Sequence, residues 1–177
     1  MKKAIFFDRD GVLIKAKVKS GKPFAVNDNN NIEFTTNEIS LFKKLKLQGY
    51  YLFLFTNQPD VARGIVSKNI VDIINAKVAK RYLLDDVFVC YHDDIDNCLC
   101  RKPKDGLITT AKEKYDLNLE KSFVIGDRWR DIDAAENSKC KSIFIDHGYT
   151  EKKPKGYEFK SNSINDAIVF ILKAQNE

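Results

Sequence analysis

Lys3-Ala4-Ile5-Phe6-Phe7-Asp8-Arg9-Asp10-Gly11-Val12-Leu13 opens on an apolar run and breaks into two carboxylates one residue apart. The run from Lys3 to Phe7 is short, continuous and apolar, so it reads as a buried β-strand that ends at Asp8. Working outward, residues 50–55, 87–89, 123–125 and 142–145 repeat that pattern. Between them lie stretches with helical periodicity. Ile39, Phe42 and Leu45 form one stripe, with Thr36 as the expected N-cap and Gly49 as the stop. Ile70, Ile73, Ile74 and Val78 form a second behind the cap Ser67, and Leu107, Ile108, Ala111 and Tyr115 mark a third. A short helix is expected after Asp127. A last one begins near Ser163, with Asp166 three residues on, and buries Ile164, Ile168, Ile171 and Leu172. Residues 15–35 are polar, hold Gly21, Pro23 and the cluster Asn27-Asp28-Asn29-Asn30-Asn31, and read as a loop.

Alternating strand and helix predicts an α/β fold: a three-layer, Rossmann-like parallel sheet with helices on both faces. The 177 residues fit a single domain. Ligands of such sheets bind beyond the carboxyl ends of the strands. Asp8, Thr56, Arg101-Lys102 and Asp127 each follow or end a candidate strand, so they are expected to converge at one edge.

Each of these segments has a chemistry. Asp8 and Asp10 could share a divalent cation, and oxygen ligands suit Mg²⁺. A carboxylate can attack phosphorus, and a second one nearby can protonate the leaving oxygen. Gly11 lets the chain turn beside the ligand. Thr56, with the amides of Asn57 and Gln58, offers hydrogen bonds to phosphate oxygens. Lys102 supplies a cation for a transferring phosphoryl group. Asp127 adds a metal-binding carboxylate, and Asp131 is placed behind it as an orienting group. Taken singly, each segment is also an ordinary polar turn. The set is what argues for a site.

A second cluster stands apart. Cys90, His92, Cys98 and Cys100 place three thiols and an imidazole within one loop, about residues 90–100. That donor set suits tetrahedral, structural Zn²⁺ with no open position. The alternative is buried cysteines near a histidine. The fourth cysteine, Cys140, has no partner in sequence and reads as a small buried side chain.

In order and spacing, the four segments resemble the motifs of the haloacid dehalogenase (HAD) superfamily of phosphatases, from Phe6 to Tyr149. The resemblance implies Asp8 as nucleophile, Asp10 as acid/base, and Thr56 and Lys102 as phosphoryl-holding groups. It implies Mg²⁺ bound by Asp8, Asp127 and the backbone carbonyl of Asp10. A zinc loop running straight into Arg101-Lys102-Pro103 resembles subfamily IIIA. That branch contains D-glycero-D-manno-heptose 1,7-bisphosphate phosphatases and histidinol-phosphate phosphatases, which carry such a loop in place of a large cap domain. Residues 56–64 resemble the heptose enzymes and depart at Pro59 and Asp60. The five residues between His92 and Cys98, and Arg128 after Gly126-Asp127, resemble the histidinol-phosphate enzymes. The expected substrate is a small phosphorylated metabolite, a heptose bisphosphate or related sugar phosphate. Asn57, Gln58, Arg101 and Arg128 are expected to bind it. A histidinol phosphate is the alternative, and a non-catalytic module binding a phosphate ligand is a rival of another class.

The chain is 44% hydrophobic and 31% charged, as for a globular protein. Its formal charge of +5 is scattered, with no basic-aromatic stripe, so no nucleic-acid partner is expected. No apolar run is long enough to cross a bilayer, and the amino-terminal apolar run is too short for a signal peptide. A cytoplasmic location is therefore expected. Lys15, Lys17, Lys19 and Lys22 either line the mouth of the site or form a solvated loop.

Overall fold

The alternation of side chains along β1 (Lys3–Phe7) divides the core in two. Ile5 and Phe7 enter one hydrophobic cluster, Ala4 and Phe6 the other. Burial on both faces is what an unbroken apolar strand requires. The computed structural model describes residues 1–174.

A hairpin of β2 (Lys17–Lys19) and β3 (Lys22–Phe24) follows β1. The main sheet continues with β4 (Tyr50–Asn57), β5 (Asp86–Cys90), β6 (Phe123–Gly126), β7 (Lys141–Ile145) and β8 (Phe159–Ser161). Its order is β5-β4-β1-β6-β7-β8, and every neighbouring pair is parallel. Three helices cover the Ile5–Phe7 face: α1 (Ile39–Leu47), α2 (Lys68–Tyr82) and α5 (Ile164–Lys173). The Ala4–Phe6 face is covered by α3 (Gly106–Tyr115) and α4 (Trp129–Ser138). This is the expected three-layer α/β fold. The described residues contain no large cap beyond the carboxyl edge; the hairpin and the cysteine loop are the insertions there.

Three local expectations are corrected. Residues 15–35 are not all loop. Ser20 and Gly21 both have positive φ, and a turn of that kind matches the twist of a tight hairpin. The hairpin tip is pinned by the Thr150 amide, which donates to the Gly21 carbonyl at 2.9 Å. Thr36 does not cap α1. Its hydroxyl accepts from the Glu38 amide at 3.0 Å, which makes a turn just ahead of the helix. On α2, Ile70 and Ile73 are only partly buried, while Val71, Asn75 and Tyr82 are buried beside Ile74 and Val78. The helix face is set by two polar anchors: Asn75 meets Arg9, and the Tyr82 hydroxyl donates to the Leu13 carbonyl at 2.8 Å. Ser67 and Ser163 cap α2 and α5 as expected.

Candidate active site

The strand order reverses between β1 and β6, the position where α/β sheets open a crevice. The Asp8 amide donates to the Ile125 carbonyl at 3.0 Å, so Asp8 and Asp127 leave adjacent strands side by side. One carboxylate oxygen from each of Asp8, Asp127 and Asp131 lies within 4.8 Å of the others. All three side chains are buried.

Lys102 reaches this trio from the far side of β4. Its ammonium donates to Asp8 Oδ1 at 2.8 Å, Asp131 Oδ1 at 2.6 Å and the Phe55 carbonyl at 3.1 Å. It also lies 4.0 Å from the centre of the Phe55 ring. Burial alone would lower the Lys102 pKa, but the Asp131 and Asp8 carboxylates outweigh it and raise it. Burial raises the pKa of Asp8 against the pull of Lys102. It drives that of Asp127 well above the carboxylate range, reinforced by the charges of Asp8 and Asp131. The Tyr149 hydroxyl and Arg128 oppose that shift only in part.

This geometry fits a divalent cation. Three buried carboxyl groups face one ammonium, so ionising them together would leave buried negative charge in excess, a costly arrangement without a further counter-charge. Neither oxygen of Asp127 has a hydrogen bond of good geometry, although both are buried. The backbone makes room for it. Gly11 has φ of +90°, and a Cβ there would fall 1.8 Å from Asp127 Oδ2. Asp131, expected behind the site, stands within the acidic cluster itself. Its Oδ2 accepts from the Arg128 amide at 3.1 Å at the start of α4, and this bond turns Oδ1 toward Lys102.

Asp8, Asp10, Thr56, Asn57, Lys102 and Asp131 line one cavity of about 410 Å³, with Arg101 and Arg128 also on its wall. Asp10 is held by the chain on both oxygens. Oδ1 accepts from the Val26 amide at 2.8 Å, and Oδ2 accepts from Gln58 Nε2 and Arg9 Nε, each at 3.0 Å. Thr56 Oγ1 accepts from Gln58 Nε2 at 2.9 Å, which leaves the hydroxyl proton to donate into the cavity. Asn57 is a clamp as well as a wall: its amide donates to the Lys102 carbonyl and accepts from the Lys102 amide, both at 3.1 Å.

The placement of Gln58 corrects the expectation that it binds substrate. The side chain is fully buried and off the cavity wall, with its amide shared among Arg9, Asp10 and Thr56. Arg101 and Arg128 line the cavity but are engaged. Arg101 donates to Asp94 at 2.7 Å and to the His92 carbonyl at 3.2 Å. Arg128 forms a fork with both oxygens of Glu151, with the shortest contact at 2.6 Å. Lys22, one of the lysines expected either at the mouth of the site or in a solvated loop, lines the cavity; Glu151, Arg130 and Phe24 also line it and carry no motif that marks them in sequence.

The cysteine loop closes on itself. Cys90 Sγ lies 3.6 Å from Cys98 Sγ and 3.2 Å from Cys100 Sγ, and the latter two are 3.5 Å apart. His92 Nδ1 lies 3.6 Å from Cys90 Sγ and 3.3 Å from Cys100 Sγ. A tetrahedron of thiolates at ordinary zinc–sulfur distance has edges of about 3.8 Å, so these four atoms are close to a metal-binding spacing. All four cysteines of the chain are free thiols, and Cys140 is buried against the α3–α4 layer as expected.

A HAD-hydrolase-like family model matches residues 99–168. The chain is 34% identical over 149 residues to a D-glycero-beta-D-manno-heptose-1,7-bisphosphate 7-phosphatase of Helicobacter pylori, covering 81% of this chain and 82% of that one. It is 35% identical over 148 residues to the histidine biosynthesis bifunctional protein HisB of Buchnera aphidicola. That match covers 80% of this chain but 40% of the longer relative. Among solved structures, a D,D-heptose 1,7-bisphosphate phosphatase from B. bronchiseptica, complexed with magnesium and phosphate, superposes with a TM-score of 0.80. It is 24% identical and covers 97% of this chain and 99% of that one, a likeness of fold. With one third of residues shared over four fifths of both chains, and a carboxylate cluster at the switch point of the sheet, the protein belongs to the HAD-superfamily phosphatases, hydrolases of phosphoric monoesters.

Proposed function

We propose that this chain, acting as one catalytic domain, removes a phosphate from a heptose bisphosphate or a closely related sugar phosphate by way of an aspartyl-phosphate on Asp8. The observation that carries the reading is the convergence of Asp8, Asp10, Thr56 and Lys102 on one cavity. Asp8, Asp127 and the backbone carbonyl of Asp10 would hold Mg²⁺, with Asp131 beside them. When bound, that ion supplies positive charge to the attacking carboxylate and the phosphoryl oxygens. Cys90, His92, Cys98 and Cys100 would hold Zn²⁺ as a clasp on the loop that delivers Arg101 and Lys102.

Two displacements follow from these positions. A carboxylate oxygen of Asp8 attacks phosphorus in line, and the bond from phosphorus to the sugar oxygen breaks. The proton carried by Asp10 goes to that leaving oxygen. Asp10 then takes a proton from a water molecule, whose oxygen attacks phosphorus and breaks its bond to Asp8. Lys102 and the Thr56 hydroxyl stabilise charge on the non-bridging oxygens.

The substrate class is supported by the heptose-bisphosphate relative and by the arginines on the cavity wall. Arg101 and Arg130 share Asp94 at the rim. A second phosphate would compete with Asp94 for both, and bidentate binding by arginine favours a phosphate over a solvated hydroxyl. Phosphate release should be measured with Mg²⁺ on a panel of heptose 1,7-bisphosphates, other sugar phosphates, nucleotides and histidinol phosphate. The highest kcat/KM is expected on a heptose bisphosphate, with turnover abolished in Asp8→Asn. A preference for histidinol phosphate would overturn the substrate, and full activity of Asp8→Asn would overturn the nucleophile.

A further inference from the structure

Arg9 is a fully buried side chain in the middle of the Asp8-Arg9-Asp10 segment, and the reaction described above gives it no part. A buried guanidinium needs partners for its N–H groups, or its desolvation goes uncompensated. Here the partners come from four separate segments. Nε donates to Asp10 Oδ2 at 3.0 Å, and Nη1 donates to Asn75 Oδ1 on α2 at 3.0 Å. Nη2 donates to the Val26 carbonyl at 3.0 Å and to Gln58 Oε1 at 2.9 Å, with a long contact of 3.4 Å to Asp10 Oδ1. Two of those partners turn back onto Asp10: the Val26 amide donates to Oδ1 and Gln58 Nε2 to Oδ2. Arg9, Gln58 and Val26 thus form a closed ring of hydrogen bonds around one carboxylate.

We propose that Arg9 is the positioning residue for Asp10, fixing the direction in which its carboxylate faces the substrate; this rests on Asp10 being the acid/base. A carboxylate on a single rotatable stem loses its aim once its partners go, and proton transfer requires hydrogen-bond reach to the leaving oxygen. The ring also distinguishes the two oxygens. Oδ2 takes two donors at 3.0 Å each. Oδ1 takes one at 2.8 Å and a second only at 3.4 Å. Oδ1 is therefore the less crowded oxygen of the two, with room for one further hydrogen bond. Through Val26 the same ring ties Asp10 to the segment that bears the β2–β3 hairpin, and through Asn75 to α2.

The test separates aim from general loosening. For substituted phenyl phosphates, from dinitrophenyl through nitrophenyl and chlorophenyl to phenyl, kcat/KM reports events up to formation of the aspartyl-phosphate. A good leaving group needs no proton at that step and a poor one does. In Arg9→Gln, kcat/KM on phenyl phosphate should fall by at least about tenfold, within the range that acid catalysis supplies, and on dinitrophenyl phosphate by less than about twofold. Asn75→Ala keeps Arg9 and should steepen the trend in the same direction by a smaller amount. It decides the matter if Arg9→Gln does not fold. Arg9→Lys, which keeps a charge but not the fork, should lie between Arg9→Gln and the wild type. Asp10→Asn is run alongside. A steep trend there with an unchanged one in both Arg9→Gln and Asn75→Ala overturns the role of Arg9 alone. An unchanged trend in Asp10→Asn itself overturns the acid role on which the proposal rests. Equal losses across the whole series in the Arg9 and Asn75 variants would show structural support only and would also overturn it.

Discussion

Lys102 Nζ lies 2.6 Å from Asp131 Oδ1, and each of these side chains is 3% exposed. A pair this deeply buried is costly to break, because the survivor keeps its charge and loses its partner. Lys102→Met is expected to destabilise the fold at neutral pH by about 3–5 kcal/mol and to abolish turnover. Adding Asp131→Asn should recover part of the stability and none of the turnover. Urea unfolding and phosphate release read the two effects separately. Additive losses in the double variant would mean that the pair is not coupled.

Gly11→Ala tests the space in front of Asp127. The added methyl would sit 1.8 Å from Asp127 Oδ2 at a backbone φ of +90°. Both the conformation and the carboxylate must give way. Turnover should fall by about a hundredfold or more, with the Mg²⁺ concentration for half-maximal activity raised, since a small misplacement of a positioning group has effects of that order. Titration of Mg²⁺ by calorimetry gives the affinity independently of turnover. An unchanged affinity would separate Gly11 from the metal.

The stability gained from Mg²⁺ should grow with pH. The folded-state pKa of Asp127 is raised well above its ordinary value of 3.8, chiefly by burial. A raised acid favours the metal-free fold below the unfolded pKa, where both states are protonated. That contribution is lost as pH rises through the folded value. A bound cation removes the penalty by pairing with the ionised form. Thermal midpoints with and without Mg²⁺ should therefore differ more at pH 8 than at pH 5. A gain that shrinks with pH would contradict a site built on Asp127.

Cys98→Ser should empty the four-donor loop of metal, while Cys140→Ser should leave metal content unchanged. The loop is tied to the cavity by Arg101, which donates to the His92 carbonyl at 3.2 Å. A fall of roughly tenfold in kcat/KM is therefore expected in Cys98→Ser, the scale on which groups behind a catalytic centre act. Elemental analysis of purified protein checks the stoichiometry. Full zinc content in Cys98→Ser would remove this cysteine from the ligand set.

The strands that bear the candidate site are legible because a buried parallel strand must be apolar throughout, so its end is marked by the first polar residue. Asp8 after Phe7 and Asp127 after Gly126 stand out for that reason. The β2–β3 hairpin did not. Its residues are exposed or half-exposed, so no buried face imposed a period on Lys17-Val18-Lys19 or Lys22-Pro23-Phe24. The edge strand β8 is three residues long, too short for any periodicity to emerge. Gln58 follows Thr56, for which phosphate contact is expected, and is expected to face the ligand too, but its side-chain amide is taken by Arg9, Asp10 and Thr56.

By itself the sequence determined which chemistry is available: the order of carboxylates, hydroxyl and lysine along the chain, and a donor set for zinc between them. Those facts follow from residue identity and from the apolar runs that any fold must bury. Only the tertiary structure decided which groups meet. Asp131 joins the acidic cluster because α4 begins at the end of β6 and turns its first-turn side chain inward. Arg9 faces inward because Asn75, Val26 and Gln58, far apart in sequence, together satisfy a buried guanidinium. Such partnerships depend on distances across the sheet, and no spacing along the chain encodes them.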